Sequence, residues 1–350
     1  MRLSCEMIWL PLCLAASFSL TAAWHFDSQE EFGSAMLKAD FGDREKSRAL
    51  EPEWTDLAEK SPVKLIAVDC ERSENTCSAA DTESIVAYES GNELSWYHGP
   101  RHSTALLSWV QRIQGPSLTE LDEESIDAFK NVDEVIFIAY LDGEDKATKA
   151  AFAKVAAKFS AEFRFGITTD PSVLAKEKVG APLIRCFKRL DGDTHETKDV
   201  ADIASLEKFV VESSRVLIGE LTHYNQQRLL DRGWPMVYIF AATESERLAL
   251  RESLKQMARD YYESLTMVTV DPVEFPDLQE KLGLEAGIFP TGAVHQLSSD
   301  RIYPYPKGRD ITPRQLQSWG FDVYQGRGKL SFGTAILVPS PWKQMRRNIL

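Results

Sequence analysis

The run Val135-Ile136-Phe137-Ile138-Ala139-Tyr140 decides how this chain is read. Six consecutive apolar residues, mostly β-branched or aromatic, specify a strand buried on both faces at the centre of a sheet. Downstream, Phe152, Val155, Ala156 and Phe159 recur at helical spacing, so Ala147 to Phe159 reads as a helix. A second strand follows at 163–168, and a short helix begins after Pro171. Pro182 then leads a strand, Leu183-Ile184-Arg185-Cys186-Phe187. Asp191-Gly192 turns a hairpin, and Ile203 to Val211 closes the stretch as a helix. The predicted order is βαβ, then α, then a β-hairpin, then α.

This unit recurs. Lys64-Leu65-Ile66-Ala67-Val68-Asp69, Phe163-Arg164-Phe165-Gly166-Ile167-Thr168-Thr169-Asp170 and Leu265-Thr266-Met267-Val268-Thr269-Val270-Asp271 end on aspartates each 101 residues from the next. That period suits tandem domains, not a solenoid. The three aspartates are expected to cap the helices that follow. The last unit repeats the order from Met236 to Trp319, with Phe289-Pro290 before its hairpin. The first reads as incomplete. Asp27 to Leu37 is expected to open it as a helix, and Glu51 to Glu59 to resume one. Lys38-Ala39-Asp40-Phe41-Gly42-Asp43 between them is too polar for a central strand. The predicted fold is α/β: tandem thioredoxin-like domains, each a mixed central sheet flanked by helices, the first incomplete.

Composition narrows the function classes. The 350 residues are 43% hydrophobic and 27% charged, an ordinary globular balance. A net charge of −13, spread without blocks, argues against nucleic acid or an anionic membrane as partner. Arg2, the apolar run Met7 to Ala16 and the small residues Thr21-Ala22-Ala23 read as a secretory signal peptide, 1–23, cut near Ala23. No later run approaches the ~18 apolar residues of a membrane span, so the mature chain is expected to be soluble. Cys70, Cys77 and Cys186 remain after cleavage, an odd number for an oxidising compartment, and no Cys-x-x-Cys occurs.

From about Arg48 to about Leu330 the chain resembles the protein disulfide isomerases, in their fungal form. Several stretches carry the resemblance: Arg48-Ala49-Leu50-Glu51-Pro52-Glu53-Trp54, Val68-Asp69-Cys70 with Cys77, Phe165-Gly166-Ile167-Thr168, Pro235-Met236-Val237-Tyr238-Ile239-Phe240-Ala241 and Phe289-Pro290. Each is weak alone, and their order is the stronger signal. That family strings four thioredoxin-like domains in the order a, b, b′, a′. The resemblance implies a degenerate a domain (24–114), a b domain (115–214), a b′ domain (215–327) and a tail (328–350), with no a′. It also implies cis bonds before Pro182 and Pro290.

The departures bear on the chemistry. Where the family places the two active cysteines at the start of its a-domain helix, this chain carries Arg44 and Ser47. Neither forms a thiolate, so thiol–disulfide exchange there has no nucleophile and no resolving group. Glu83 stands where the a domain has its cis proline, and the tail ending Arg346-Arg347-Asn348-Ile349-Leu350 is no retrieval signal. No catalytic residue and no cofactor is assigned. The resemblance further implies a structural Cys70–Cys77 bridge, with a redox switch as the alternative. Cys186, in an apolar strand, reads as a buried inert thiol.

No metal site is expected: His98 and His102 flank Pro100 without a third ligand. On the resemblance, the b′ domain carries an apolar groove for unfolded polypeptide. Leu254 and Leu265 match its lining and Phe240 lies near them. The expected function is therefore a redox-inactive, chaperone-like family member of the endoplasmic reticulum lumen, with secretion open to it. The alternative is a disulfide isomerase whose active motifs are lost from this chain by truncation or mis-splicing. Calcium storage, as in calsequestrin with its three redox-dead thioredoxin folds, would need acidic runs longer than Asp122-Glu123-Glu124.

Overall fold

Three sheets organise the computed structural model, which describes residues 36–40, 44–68, 85–89, 92–200 and 202–326. The first unit comprises β1 (Met36–Asp40), α1 (Arg44–Lys60), β2 (Lys64–Val68), β3 (Ile85–Glu89), β4 (Asn92–Trp96) and α2 (Ser103–Gln114). The second contains β5 (Thr119–Glu120), α3 (Ile126–Phe129), β6 (Val135–Tyr140), α4 (Lys146–Phe159), β7 (Arg164–Thr168), α5 (Pro171–Glu177), β8 (Leu183–Lys188), β9 (Asp193–Thr197) and α6 (Ile203–Ser213). The third runs through β10 (Ile218–Glu220), α7 (Gln226–Asp231), β11 (Met236–Phe240), α8 (Glu244–Asp260), β12 (Thr266–Val270), α9 (Leu278–Lys281), β13 (Thr291–Gln296), β14 (Arg301–Pro304) and α10 (Pro313–Tyr324).

The strand orders are β2-β1-β3-β4, β5-β7-β6-β8-β9 and β10-β12-β11-β13-β14. In each sheet one central strand pairs in parallel with the strand that follows its helix. It pairs antiparallel with the first strand of the hairpin. All six residues of β6 are buried. Phe137 and Ala139 pack with Phe152, Val155 and Val210 on one face. Ile136, Ile138 and Tyr140 pack with Ile126, Phe129 and Val173 on the other. The period-2 alternation of a strand divides the run between two cores, which is why it carries no polar residue.

One sequence expectation is corrected here. The segment read as too polar for a central strand supplies Lys38 to Asp40 of β1, which pairs in parallel with β2 and antiparallel with β3. A ladder satisfies backbone groups whatever the side chains, so a central position selects a strand that composition alone disfavours. Leu37 belongs to this strand, not to an opening helix, while 27–35 lie outside the described residues. The following helix begins at Arg44, not Glu51. Leu50, Trp54 and Leu57, at i, i+4 and i+7, give it one buried stripe, which holds the helix together across Pro52.

Polar junctions link the units. Arg112 on α2 donates to the Asp133 carboxylate at 2.6 Å and to the Ala161 carbonyl at 3.1 Å. Between the second and third units, Lys188 is 1% exposed. Its ammonium donates to the Arg215 carbonyl at 3.1 Å and faces Asp191 at 3.4 Å. The Asp191 carboxylate accepts from the Leu217 amide, and Arg259 on α8 donates to the Asp191 carbonyl and to Asp193. Arg215 lies 3.5 Å over the Tyr262 ring. These contacts clamp the β8–β9 hairpin to the end of α8.

Candidate functional site

Three positions matter for thiol chemistry: the connections from each central strand into its helix. Two are described, Leu141 to Asp145 before α4 and Ala241 to Thr243 before α8; residues 41–43, before α1, lie outside the described residues. None carries a cysteine. Arg44 and Ser47 lie in the first turn of α1. In the third unit the turn is closed by a capping box. The Thr243 hydroxyl accepts from the Glu246 amide at 3.2 Å, and the Glu246 carboxylate accepts from the Thr243 amide at 3.0 Å. The Ala181–Pro182 and Phe289–Pro290 bonds, which lead into the strands beside these turns, are cis.

The aspartates that end the repeat strands differ in role. Asp170 caps α5, accepting from the Ser172 amide. Asp271 does not cap α9, whose N-cap position is Asp277. It instead accepts from the Val273 amide and pairs with Arg247 at 2.9 Å. Burial raises its carboxyl above the usual range, against the pull of Arg247. Asp69, Cys70, Cys77 and Glu83 lie outside the described residues. Cys186 is buried, and that burial pushes its thiol up to about 12, so it is not a thiolate at neutral pH. Its Sγ donates to the Ser213 carbonyl at 3.6 Å.

The structure separates the three residues expected to line a peptide groove. Phe240 is fully buried on one face of the third sheet, with Tyr238, Val270 and Phe275. Leu254 is fully buried on the opposite face, with Val237, Ile239 and Met267. The physical reason is β11's alternation: Phe240 and Ile239 point to opposite sides of the sheet. Leu265 alone of the three is partly exposed, packing at the margin of Leu254's cluster beside Leu250, Tyr261 and Tyr262. The adjoining α10 buries Leu316, Trp319 and Val323 against the same cluster and leaves Phe321 and Tyr324 56% and 84% exposed. Gln317 on α10 donates to the Tyr261 hydroxyl at 3.2 Å.

Sequence reading missed Arg247, which is 3% exposed and faces both Glu220 and Asp271. One signal was present: Arg247 falls seven residues before Leu254, on the buried stripe of α8, where an apolar side chain belongs. Among the described residues no cluster of three His, Cys, Asp or Glu side chains could hold a metal, and no helix is long and apolar enough to cross a membrane.

A central strand with one parallel and one antiparallel neighbour, built three times, defines a thioredoxin-like protein. The family model described as a thioredoxin-like domain matches residues 141–322, and the chain belongs to that family. The protein disulfide-isomerase of Humicola insolens is 28% identical over 304 residues, covering 85% of this chain and 59% of that protein. That of Aspergillus niger is 24% identical over 286 residues, covering 80% and 56%. Within the thioredoxin-like proteins, the chain is similar to the fungal protein disulfide-isomerases. It spans somewhat more than half the length of these curated relatives. Among solved structures, the bb fragment of ERp72 is similar at 18% identity and a TM-score of 0.48, covering 61% of this chain and all of that one.

Proposed function

We propose that this chain binds unfolded or partly folded polypeptide in the lumen of the endoplasmic reticulum without exchanging disulfides. In this reading 1–23 is the signal peptide, 24–114, 115–214 and 215–327 are three thioredoxin-like domains, and the third holds the client. The observation that carries it is the margin of the third core. Leu250, Tyr261 and Leu265 are only partly covered there, and Phe321 and Tyr324 stand exposed on the helix packed beside them. An apolar, mostly non-directional surface suits many sequences and binds each weakly, roughly micromolar or worse.

Leu265→Trp is expected to fill this margin and lower the affinity for a labelled unfolded peptide, with circular dichroism unchanged. Equal affinity in two well-folded proteins removes Leu265 from the site.

A second reading, disulfide isomerase, is favoured by the names of the relatives and by the chain's spanning only part of their length. One assay tests whether this chain itself exchanges disulfides, reactivation of scrambled ribonuclease in a glutathione buffer. With Arg44 and Ser47 at the cysteine positions, the rate is expected to equal the buffer background. A rate clearly above it supports the isomerase.

A further inference from the structure

The first unit touches the third through residues more than a hundred positions apart. His102, at the N-cap of α2, is 15% exposed and lies between two acidic side chains of the third unit. Its Nε2 faces the Glu220 carboxylate, at the end of β10, at 3.7 Å. Its Nδ1 faces the Glu244 carboxylate, in the first turn of α8, at 3.2 Å. Arg247 and Asp271 complete the charge around it from the third unit, and Arg251 adds its charge to Glu220. On α2 itself, the Thr104 hydroxyl lies 2.7 Å from Nδ1 and donates to Glu244 at 2.7 Å. Arg101–Glu274 at 3.8 Å and a His98–Tyr224 stack at 4.0 Å flank the cluster across the same junction.

The proton count on the ring decides how well this cluster is satisfied. A charged imidazolium has two N–H donors, one toward Glu220 and one toward Glu244 and Thr104. Either neutral tautomer turns a lone pair toward one of these oxygens. The neutral ring serves one group better: the Ala105 amide, which donates to Nδ1 at 3.3 Å and so caps α2. Protonation therefore exchanges a local helix cap for two contacts that cross to another unit.

From this geometry we propose that His102 is a proton-operated latch, which holds the first unit on the third when its ring is charged and releases it when neutral. The supporting electrostatics have the required sign. Burial lowers the ring's pKa, but Glu220 and Glu244 outweigh burial and raise it above the ordinary 6.5. A group whose value is raised in the docked state favours docking fully below its free value, and that contribution is lost as pH rises through the docked value. Burial works against the Glu220 charge, but His102 and Arg247 leave its carboxyl below the usual range, so it stays ionised throughout this window. Burial raises Asp271 above its ordinary value, which brings its protonation toward the acid edge of this window. The latch is thus tightest between the carboxylate range and 6.5.

Small-angle scattering of the full chain at about pH 6 and about pH 8, at constant ionic strength, reads the change. The wild type is expected to be more compact at the lower pH. His102→Gln is expected to lose this step and keep the expanded dimension at both, with circular dichroism confirming the fold. Glu244→Gln removes one facing charge from a partly exposed site, so its step is expected to move to lower pH, and this variant carries the test should His102→Gln misfold. The His102 ring resonance, assigned by its loss in the variant, is expected to titrate above 6.5 in the wild type. A wild type without the step, a step that persists in His102→Gln, an unmoved step in Glu244→Gln, or a ring titrating at or below the ordinary value each overturns the latch.

Discussion

Replacing Lys188 by methionine is expected to lower the first thermal transition of the chain more than any surface substitution, at a cost of about 3 kcal/mol. The side chain is buried where the second unit meets the third, with its ammonium beside Asp191 and the Arg215 carbonyl and 5.3 Å over the Tyr262 ring. Methionine keeps the length and the apolar stem but removes the charge. Asp193 retains Arg259 at 2.6 Å. Asp191 retains only the Leu217 amide at its carboxylate, an ionised group now buried without its cation. A buried pair broken from one side costs more than the pair is worth, because the remaining charge keeps its desolvation penalty. The double variant Lys188→Met/Asp191→Asn is therefore expected to be more stable than the single one, since the amide still accepts from Leu217 and carries no charge. Calorimetry of the three proteins checks both statements. A Lys188→Met transition within a degree or so of wild type would show that the cluster contributes nothing to the junction.

Gly292→Ala is expected to be comparably damaging, for a reason that has nothing to do with charge. Gly292 sits opposite Ile239 in the antiparallel β11–β13 pair. A β-carbon there would stand 2.6 Å from the Tyr238 carbonyl oxygen, an approach that real β-carbons essentially never show. The obstacle is the backbone of the central strand, which no side-chain rotation moves away. The ladder must part or the strand shift, at a cost of about 2–3 kcal/mol. Gly320→Ala is the control. It lies within α10, and a β-carbon added there meets nothing within 4 Å. That substitution should stabilise the helix by up to about 1 kcal/mol. Equal effects of the two substitutions, read from urea unfolding, would sink the steric argument.

Much of this architecture was legible in the residues because it is written at short range. The six buried residues of β6 form a strand as one run, and the stripe Phe152, Val155 and Ala156 marks α4 by spacing. Asp170 caps a helix because its own carboxylate reaches an amide two residues on. Such features need only neighbours in sequence, so composition and periodicity carry them. The first unit's central strand fails this test. Its partners are residues 64–68 and 85–88, and their ladders hold Met36–Asp40 in extended form without an apolar run to announce it.

The candidate site divides in the same way. From the sequence alone came the loss of any Cys-x-x-Cys, the three repeated units and the resemblance to a family. Each is a matter of residue identity or local period. Tertiary structure decided that Phe240 and Leu254 lie on opposite faces of one sheet, because strand alternation fixes direction only once the sheet has helices on both sides. It also decided that His102, Glu220, Glu244 and Asp271 share one small volume, and that Lys188 closes another with Arg215. These residues are gathered from separate units, and no spacing within the chain encodes how one folded unit docks on the next. A single charge on a helix or strand reads as surface until the partner that buries it is in place.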